Sequence, residues 1–145
     1  VRWLAALPSY ILLEGGWYAV HAGFEPTLPL GEQTADRMCR IRYVDADGAY
    51  VGDVWDEDPT KGVVRWNTWQ GHWRAPRRVI YGHAVYSFTD PIVEQDFYGI
   101  DTGCVFGGRL TALELIDGVV GNTYSVPATR TWAAFKFSHQ LRRAT

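Results

Sequence analysis

The chain has 145 residues, of which 47% are hydrophobic and 14% aromatic, and its formal net charge is -2. This composition predicts one globular domain over residues 1–145 and excludes a disordered chain. The near-neutral charge argues against a nucleic-acid-binding module. The two cysteines lack Cys-x-x-Cys spacing, which argues against a zinc knuckle. No apolar run reaches the roughly 20 residues that cross a bilayer. We therefore expect a cytoplasmic protein without a membrane partner.

The first third of the chain predicts a helix end, a hairpin and a second helix. Residues 1–8 are interpreted as the last turns of a helix that stops before Pro8. The apolar runs 10–13 and 17–20 flank Glu14-Gly15-Gly16, which predicts a β-hairpin that ends at His21. After a loop with two prolines, residues 32–43 are predicted to form a helix.

The middle of the chain contains an acidic segment and a cluster of tryptophans. Residues 45–62 are rich in Asp, Gly and Pro and are interpreted as a surface excursion. A calcium loop is the less favoured alternative, because no closing glutamate follows at the spacing of an EF-hand. For Trp66, Trp69 and Trp73 we favour packing over a base-stacking platform, since no basic groove accompanies them.

The second half of the chain predicts buried strands and a closing hairpin. Strands are expected at residues 79–81, 97–101 and 110–116, and Gly118 turns the last of these back into residues 119–126. Residues 127–145 form a tail that carries no motif. Many short strands with few helices predict a sheet-rich α/β fold.

Two histidines end apolar strands and are followed by small residues. His21 follows Val20 and precedes Ala22-Gly23, and His83 follows Tyr81-Gly82. An imidazole at the end of a strand is accessible to a cation and a substrate, so both histidines are candidate metal ligands. Their local context alone favours the alternative of ordinary strand-end histidines.

Three sequence blocks, in this order, resemble the C-terminal half of the calcineurin-like metallophosphoesterases. They are Val20-His21-Ala22-Gly23, Tyr81-Gly82-His83 and the run IDTGCVFGGRLTAL at residues 100–113. The third block is the most specific, and the resemblance covers roughly residues 4–115. The most similar branches are the bacterial and phage-type serine/threonine phosphatases, the diadenosine-tetraphosphate hydrolases and the polyphosphatase-like group. The resemblance implies the C-terminal part of a metallophosphoesterase-type β-sandwich flanked by helices.

The resemblance also implies a set of site residues. His21 and His83 match the two later metal-ligating histidines of the family, whose complete site holds two divalent metals such as Mn, Zn or Fe. The family's Asp-x-His, Gly-Asp-x-x-Asp-Arg-Gly and Gly-Asn-His motifs do not occur in this chain. We therefore expect at most weak binding of a single metal. Arg42 is the best match to the phosphate-binding arginine, with Arg40 as the alternative.

These matches lead to two functional hypotheses. The first is metal-dependent hydrolysis of phosphoesters or phosphoanhydrides, in which a missing N-terminal segment of the same domain completes the site. Its substrate would be a phosphoprotein or a phosphorylated small molecule such as a dinucleoside polyphosphate or polyphosphate. The alternative is a catalytically inactive, phosphatase-like binding or interaction module. The sequence lacks the features that would identify the substrate, the metal or the oligomeric state.

Overall fold

The computed structural model describes residues 2–52 and 54–135 and consists mainly of short strands. Its described residues contain the helices α1 (Arg2–Ala5) and α2 (Ala35–Arg40). The strands are β1 (Tyr10–Leu12), β2 (Tyr18–Val20), β3 (Tyr43–Val44), β4 (Tyr50–Val51), β5 (Val64–Arg65), β6 (Val79–Tyr81), β7 (Ile92–Glu94), β8 (Phe97–Gly99), β9 (Arg109–Ile116) and β10 (Val119–Pro127). This content agrees with the predicted sheet-rich α/β class.

The central sheet has the strand order β1-β2-β6-β8-β7. Strands β2, β6 and β8 run parallel, and the edge strands β1 and β7 are antiparallel to their neighbours. The predicted hairpin at β1 and β2 and the predicted strand at β6 are confirmed. Because parallel strands end at the same edge of a sheet, the residues that follow β2, β6 and β8 lie side by side.

A second, three-stranded sheet has the order β4-β3-β5 and is antiparallel throughout. Its central strand corrects the predicted helix over residues 32–43. The helix begins after Thr34, whose hydroxyl accepts a hydrogen bond from the Arg37 amide, and it ends at Arg40. Tyr43 and Val44 are buried and paired on both sides as β3, so tertiary pairing overrides the helical periodicity.

The segment 45–62, predicted as a surface excursion, contributes β4 to this small sheet and a short 3₁₀ turn at Pro59–Lys61. The carboxylate of Asp45 accepts hydrogen bonds from the amides of Asp47 and Ala49. Asp45 therefore stabilises a turn through its side chain, which is the common role of aspartate in such segments.

The core lies between the two sheets and is centred on Trp66, which is 2% exposed. Its ring meets Tyr81 and Phe97 edge-on, at centroid distances of 5.2 and 5.3 Å. Its backbone amide donates to the Arg42 carbonyl over 3.1 Å. Trp69 and Trp73 pack partly buried against the same cluster. The packing interpretation is therefore confirmed, and Trp66 joins the small sheet to the central one.

The predicted terminal hairpin is formed by β9 and β10. Thr102, inside the IDTG block, donates a hydrogen bond through its hydroxyl to the Arg109 carbonyl at the start of β9.

After β10 the chain returns to the body of the protein, where the Phe135 ring lies 5.2 Å from Phe88 and 5.0 Å from Phe106. The rest of the predicted tail, residues 136–145, lies outside the described residues. In the described part of the chain, no helix is both long and apolar enough to cross a membrane.

Candidate metal and phosphate site

The two predicted metal ligands lie next to each other at the carboxyl edge of the central sheet. His21 directly follows β2, and His83 follows β6 after Gly82. Because β2 and β6 are adjacent and parallel, their ends bring the two rings together. The Nε2 atom of His21 lies 3.2 Å from the Nδ1 atom of His83, and the ring centroids are 4.9 Å apart.

Backbone hydrogen bonds fix the position of His83. The Gly82 amide donates to the His21 carbonyl over 2.9 Å, and the Ala84 amide donates to the Gly82 carbonyl over 2.8 Å. Between these bonds, His83 has a φ of 70°, in the left-handed region. A residue other than glycine adopts this conformation at a cost of about 1–3 kcal/mol, and such residues cluster at functional sites.

The segment after His21 is held against the end of α2. The Ala22 amide donates to the Met38 carbonyl over 2.9 Å. A side chain at Gly23 would overlap the Trp66 ring, so only glycine fits there without rearrangement. The Trp66 contact accounts for the glycine at position 23, and the hydrogen bond holds the segment after His21 against α2.

Burial lowers the pKa of His83 to about 4, and the Arg42 guanidinium and His21 act in the same direction. The Arg40 backbone has the opposite effect and raises this pKa. His83 is therefore neutral at pH 7, the state in which imidazole binds a metal. Its Nε2 atom is buried and makes no hydrogen bond within the described residues.

A cavity of about 240 Å³ opens beside His83. It is lined by Arg40, Arg42, Tyr50, Val51, Val54, Trp55 and His83. The Arg42 guanidinium carbon lies 4.8 Å from the centroid of the Trp55 ring. Burial lowers the pKa of Arg42, but an arginine stays protonated at neutral pH. The structure thus brings both candidate phosphate-binding arginines to one wall of the same cavity as His83.

The two arginines differ in environment. Arg42 is half-buried, with its guanidinium over the Trp55 ring. Arg40 is exposed and forms an ion pair with Asp36 over 2.9 Å. An exposed pair of this kind contributes little to stability and breaks easily. Arg42 is therefore the more fixed of the two cations.

The residues present fit part of a metal shell. Two imidazole nitrogens bound to one zinc ion at about 2.0–2.1 Å lie roughly 3.3 Å apart in a tetrahedral arrangement, close to the observed 3.2 Å. Between residues 2 and 135, Asp53 apart, no group of three or more His, Cys, Asp or Glu side chains could hold a metal ion. The pair alone therefore makes an incomplete site.

Comparison with known proteins identifies the family, although no family model matches the chain. The chain is 32% identical over 131 residues to the asymmetrical bis(5'-nucleosyl)-tetraphosphatase PrpE of Anoxybacillus flavithermus. This match covers 90% of the present chain and 48% of the relative. The chain is 34% identical over 142 residues to the PrpE of Geobacillus thermodenitrificans, with coverages of 94% and 51%. The chain belongs to the calcineurin-like metallophosphoesterases.

The metallophosphoesterase fold is also seen by structural comparison. A crystal structure of a proposed diadenosine tetraphosphatase superposes with a TM-score of 0.64 at 24% identity, over 88% of this chain and 54% of that one. The chain thus spans about half the length of the curated relatives and of the solved structure that it matches.

The aromatic side of the cavity in this metallophosphoesterase was not predicted from the sequence. Tyr50 and Trp55 come from the segment 45–62, which carries no family motif. The pairing of β4 with β3 positions Tyr50, and the Tyr43 hydroxyl donates to the Trp55 carbonyl, while the Trp55 ring lies beside Arg42. Aromatic residues within an aspartate-rich segment are the local signal that could have indicated them.

Asp101 follows β8, the third parallel strand, at the same edge. Its carboxylate accepts a hydrogen bond from the Gly103 amide over 3.0 Å. A Cβ atom added at Gly82 would lie 3.6 Å from the Cβ atom of Asp101. Asp101 therefore stabilises the backbone turn that follows β8.

Proposed function

We propose that this chain supplies part of the active site of a metal-dependent hydrolase that cleaves the phosphoanhydride bonds of dinucleoside polyphosphates. One observation carries the proposal: His21 Nε2 and His83 Nδ1 lie 3.2 Å apart, and His83 lines a cavity that is also lined by Arg40 and Arg42. The tetraphosphatase names of the relatives support the choice of phosphoanhydride substrate over phosphoprotein.

Each site residue has a distinct role in this proposal. His21 and His83 hold one divalent ion, with Mn, Zn and Fe as the candidates for imidazole ligands. The ion supplies Lewis-acid stabilisation of phosphoryl oxygens when bound. Arg42 donates two parallel hydrogen bonds to phosphate oxygens, and Arg40 contributes a second, more mobile positive charge.

We propose further that the rest of the site comes from sequence beyond this chain. Imidazole ligands carry no negative charge and leave the charge of a dication unbalanced, and hydrolytic dinuclear sites add carboxylates to balance it. No Asp-x-His, Gly-Asp-x-x-Asp-Arg-Gly or Gly-Asn-His motif is present among the 145 residues. By itself, the chain should bind a single metal weakly and should not turn over substrate.

The first experiment is to read the coding sequence upstream of the Val1 codon and to assay the product of the complete reading frame. We expect the absent motifs there, together with hydrolysis of diadenosine tetraphosphate that requires Mn²⁺ or a similar ion. His21→Ala or His83→Ala should lower the rate about 10²- to 10⁴-fold, since a catalytic metal contributes several kcal/mol.

His72→Ala is the matched control, because His72 is exposed and lies outside the cavity lining. This variant should keep the parent rate. A product that is inert towards phosphoesters and phosphoanhydrides with every metal tested, although both site histidines are intact, would contradict the proposed activity.

The alternative of an inactive binding module is favoured by one observation, the lack of a three-ligand group in the described residues. It predicts a start codon at Val1 and binding of a phosphorylated ligand at the arginine wall without turnover. Calorimetric titration of the chain with diadenosine tetraphosphate, followed by analysis of the ligand for cleavage, separates the two functions.

A further inference from the structure

The cavity beside His83 has an apolar side that phosphate binding does not need. Its lining includes Tyr50, Val51, Val54 and Trp55 next to the two arginines. A bare polyphosphate is bound by cations and hydrogen-bond donors, and it gains little from tryptophan or valine side chains. A ligand that uses both sides of this cavity carries a flat apolar group next to a phosphate.

Trp55 is the residue best placed to contact such a group. Its side chain lies on the cavity wall and is 44% exposed. Its backbone carbonyl accepts a hydrogen bond from the Tyr43 hydroxyl over 3.4 Å, which ties the segment to the buried strand β3. Trp55 thus combines an anchored backbone with an accessible ring.

Trp55 also lies directly beside the proposed phosphate-binding group. The Arg42 guanidinium carbon is 4.8 Å from the Trp55 ring centroid. A nucleotide joins a phosphate to an aromatic base through one ribose, so a protein that binds it needs a cation and a stacking surface side by side. Arg42 and Trp55 supply this pair, and base-aromatic stacking does not depend strongly on which base is present.

We propose that Trp55 is a specificity-determining residue that stacks on a base of the dinucleoside polyphosphate while Arg42 holds the adjoining phosphate. This inference rests on the proposed function of the same site. It assigns the preference for a nucleotide over a bare polyphosphate to the segment 45–62, and the phosphate chemistry to the histidines and arginines.

The test compares diadenosine tetraphosphate with inorganic tetraphosphate, which has the same phosphoanhydride chain without nucleosides. In the product of the complete reading frame with Mn²⁺, Trp55→Ala should lower the ratio of the two kcat/KM values by about 5- to 150-fold, the range of one stacked base. Trp55→Phe should retain most of the preference, because phenylalanine keeps an aromatic face.

The ratio is the informative quantity because Arg42 lies over Trp55. Loss of the ring disturbs the guanidinium and weakens binding of both substrates, whereas stacking affects only the nucleotide. Trp132→Ala is the matched control: Trp132 is 62% exposed and has the Arg130 guanidinium over its ring at 3.5 Å, but it does not line the cavity. This variant should leave the ratio unchanged.

Equal losses on both substrates in Trp55→Ala, or the same change of ratio in Trp132→Ala, would overturn the role of Trp55 and leave the proposed hydrolysis intact. If the parent hydrolyses neither compound, the proposed function fails, and calorimetric titration of this chain decides the role of Trp55. The parent must then bind diadenosine tetraphosphate more tightly than tetraphosphate, and Trp55→Ala must remove the difference. Equal affinities in the parent overturn the inference.

Discussion

The central sheet and the small sheet contribute different chemistry to the same cavity. The carboxyl edge of the central sheet supplies His21 and His83 through parallel strand ends, whose backbone bonds fix the distance between the rings. The small sheet and the helix before it supply the arginines and the aromatic wall. The positions of the two proposed metal-binding histidines therefore depend on strand register, whereas the aromatic wall depends on a loop-rich segment that can change without altering that register.

The largest expected effect comes from removing the residue that connects the two sheets. Trp66 bonds to Arg42 and packs on Tyr81 and Phe97. We expect Trp66→Ala to lower the free energy of unfolding by about 3–5 kcal/mol, because it leaves a cavity between the sheets. Urea denaturation followed by circular dichroism measures this. A loss below about 1 kcal/mol would mean that the sheets are held together elsewhere.

A smaller effect should distinguish the two arginines of the cavity. Arg42→Ala removes the more fixed cation and should weaken binding of tetraphosphate about 10- to 100-fold, as expected for a hydrogen bond to a charged group. Arg40→Ala should cost less, because Arg40 is exposed and paired with Asp36. Calorimetry on both variants tests the order, and a greater loss for Arg40→Ala would make Arg40 the phosphate-binding residue.

The smallest effect concerns the strain at His83. His83→Gly relieves the left-handed conformation at φ 70°, and part of that gain is lost to the extra freedom of glycine in the unfolded chain. We expect the free energy of unfolding to rise by about 0.5–1 kcal/mol while binding of Mn²⁺ is lost. Thermal unfolding and metal titration measure the two effects, and a less stable variant would show that the imidazole contributes more than its conformation costs.

The sequence predicted the central sheet better than the small one, for a physical reason. Strands β2 and β6 are short apolar runs that end in a histidine, and the IDTG block follows β8, so local pattern and motif agree. The two-residue strands of the small sheet have no local signal of their own. They form because Tyr43 and Val44 are buried between two partners that lie elsewhere in the chain.

The candidate site shows the same division. His21 and His83 were predicted as metal ligands from their place after apolar strands and from the family resemblance, and the structure places their ring nitrogens 3.2 Å apart. Trp55 was not predicted, because it belongs to no motif and its place in the cavity follows from a tertiary hydrogen bond to Tyr43 of β3. Strand β7 was also missed, since its three residues directly follow Pro91 and pair only as an edge strand.

The hydrogen bond between the Trp66 amide and the Arg42 carbonyl has a consequence for ligand binding. It attaches the backbone of Arg42 to the core, while the Trp55 ring restricts the side chain. A side chain that is already ordered loses little conformational entropy when a phosphate arrives. Arg42, the proposed phosphate-binding residue, is therefore preorganised, and we expect it to favour ligands that match its position.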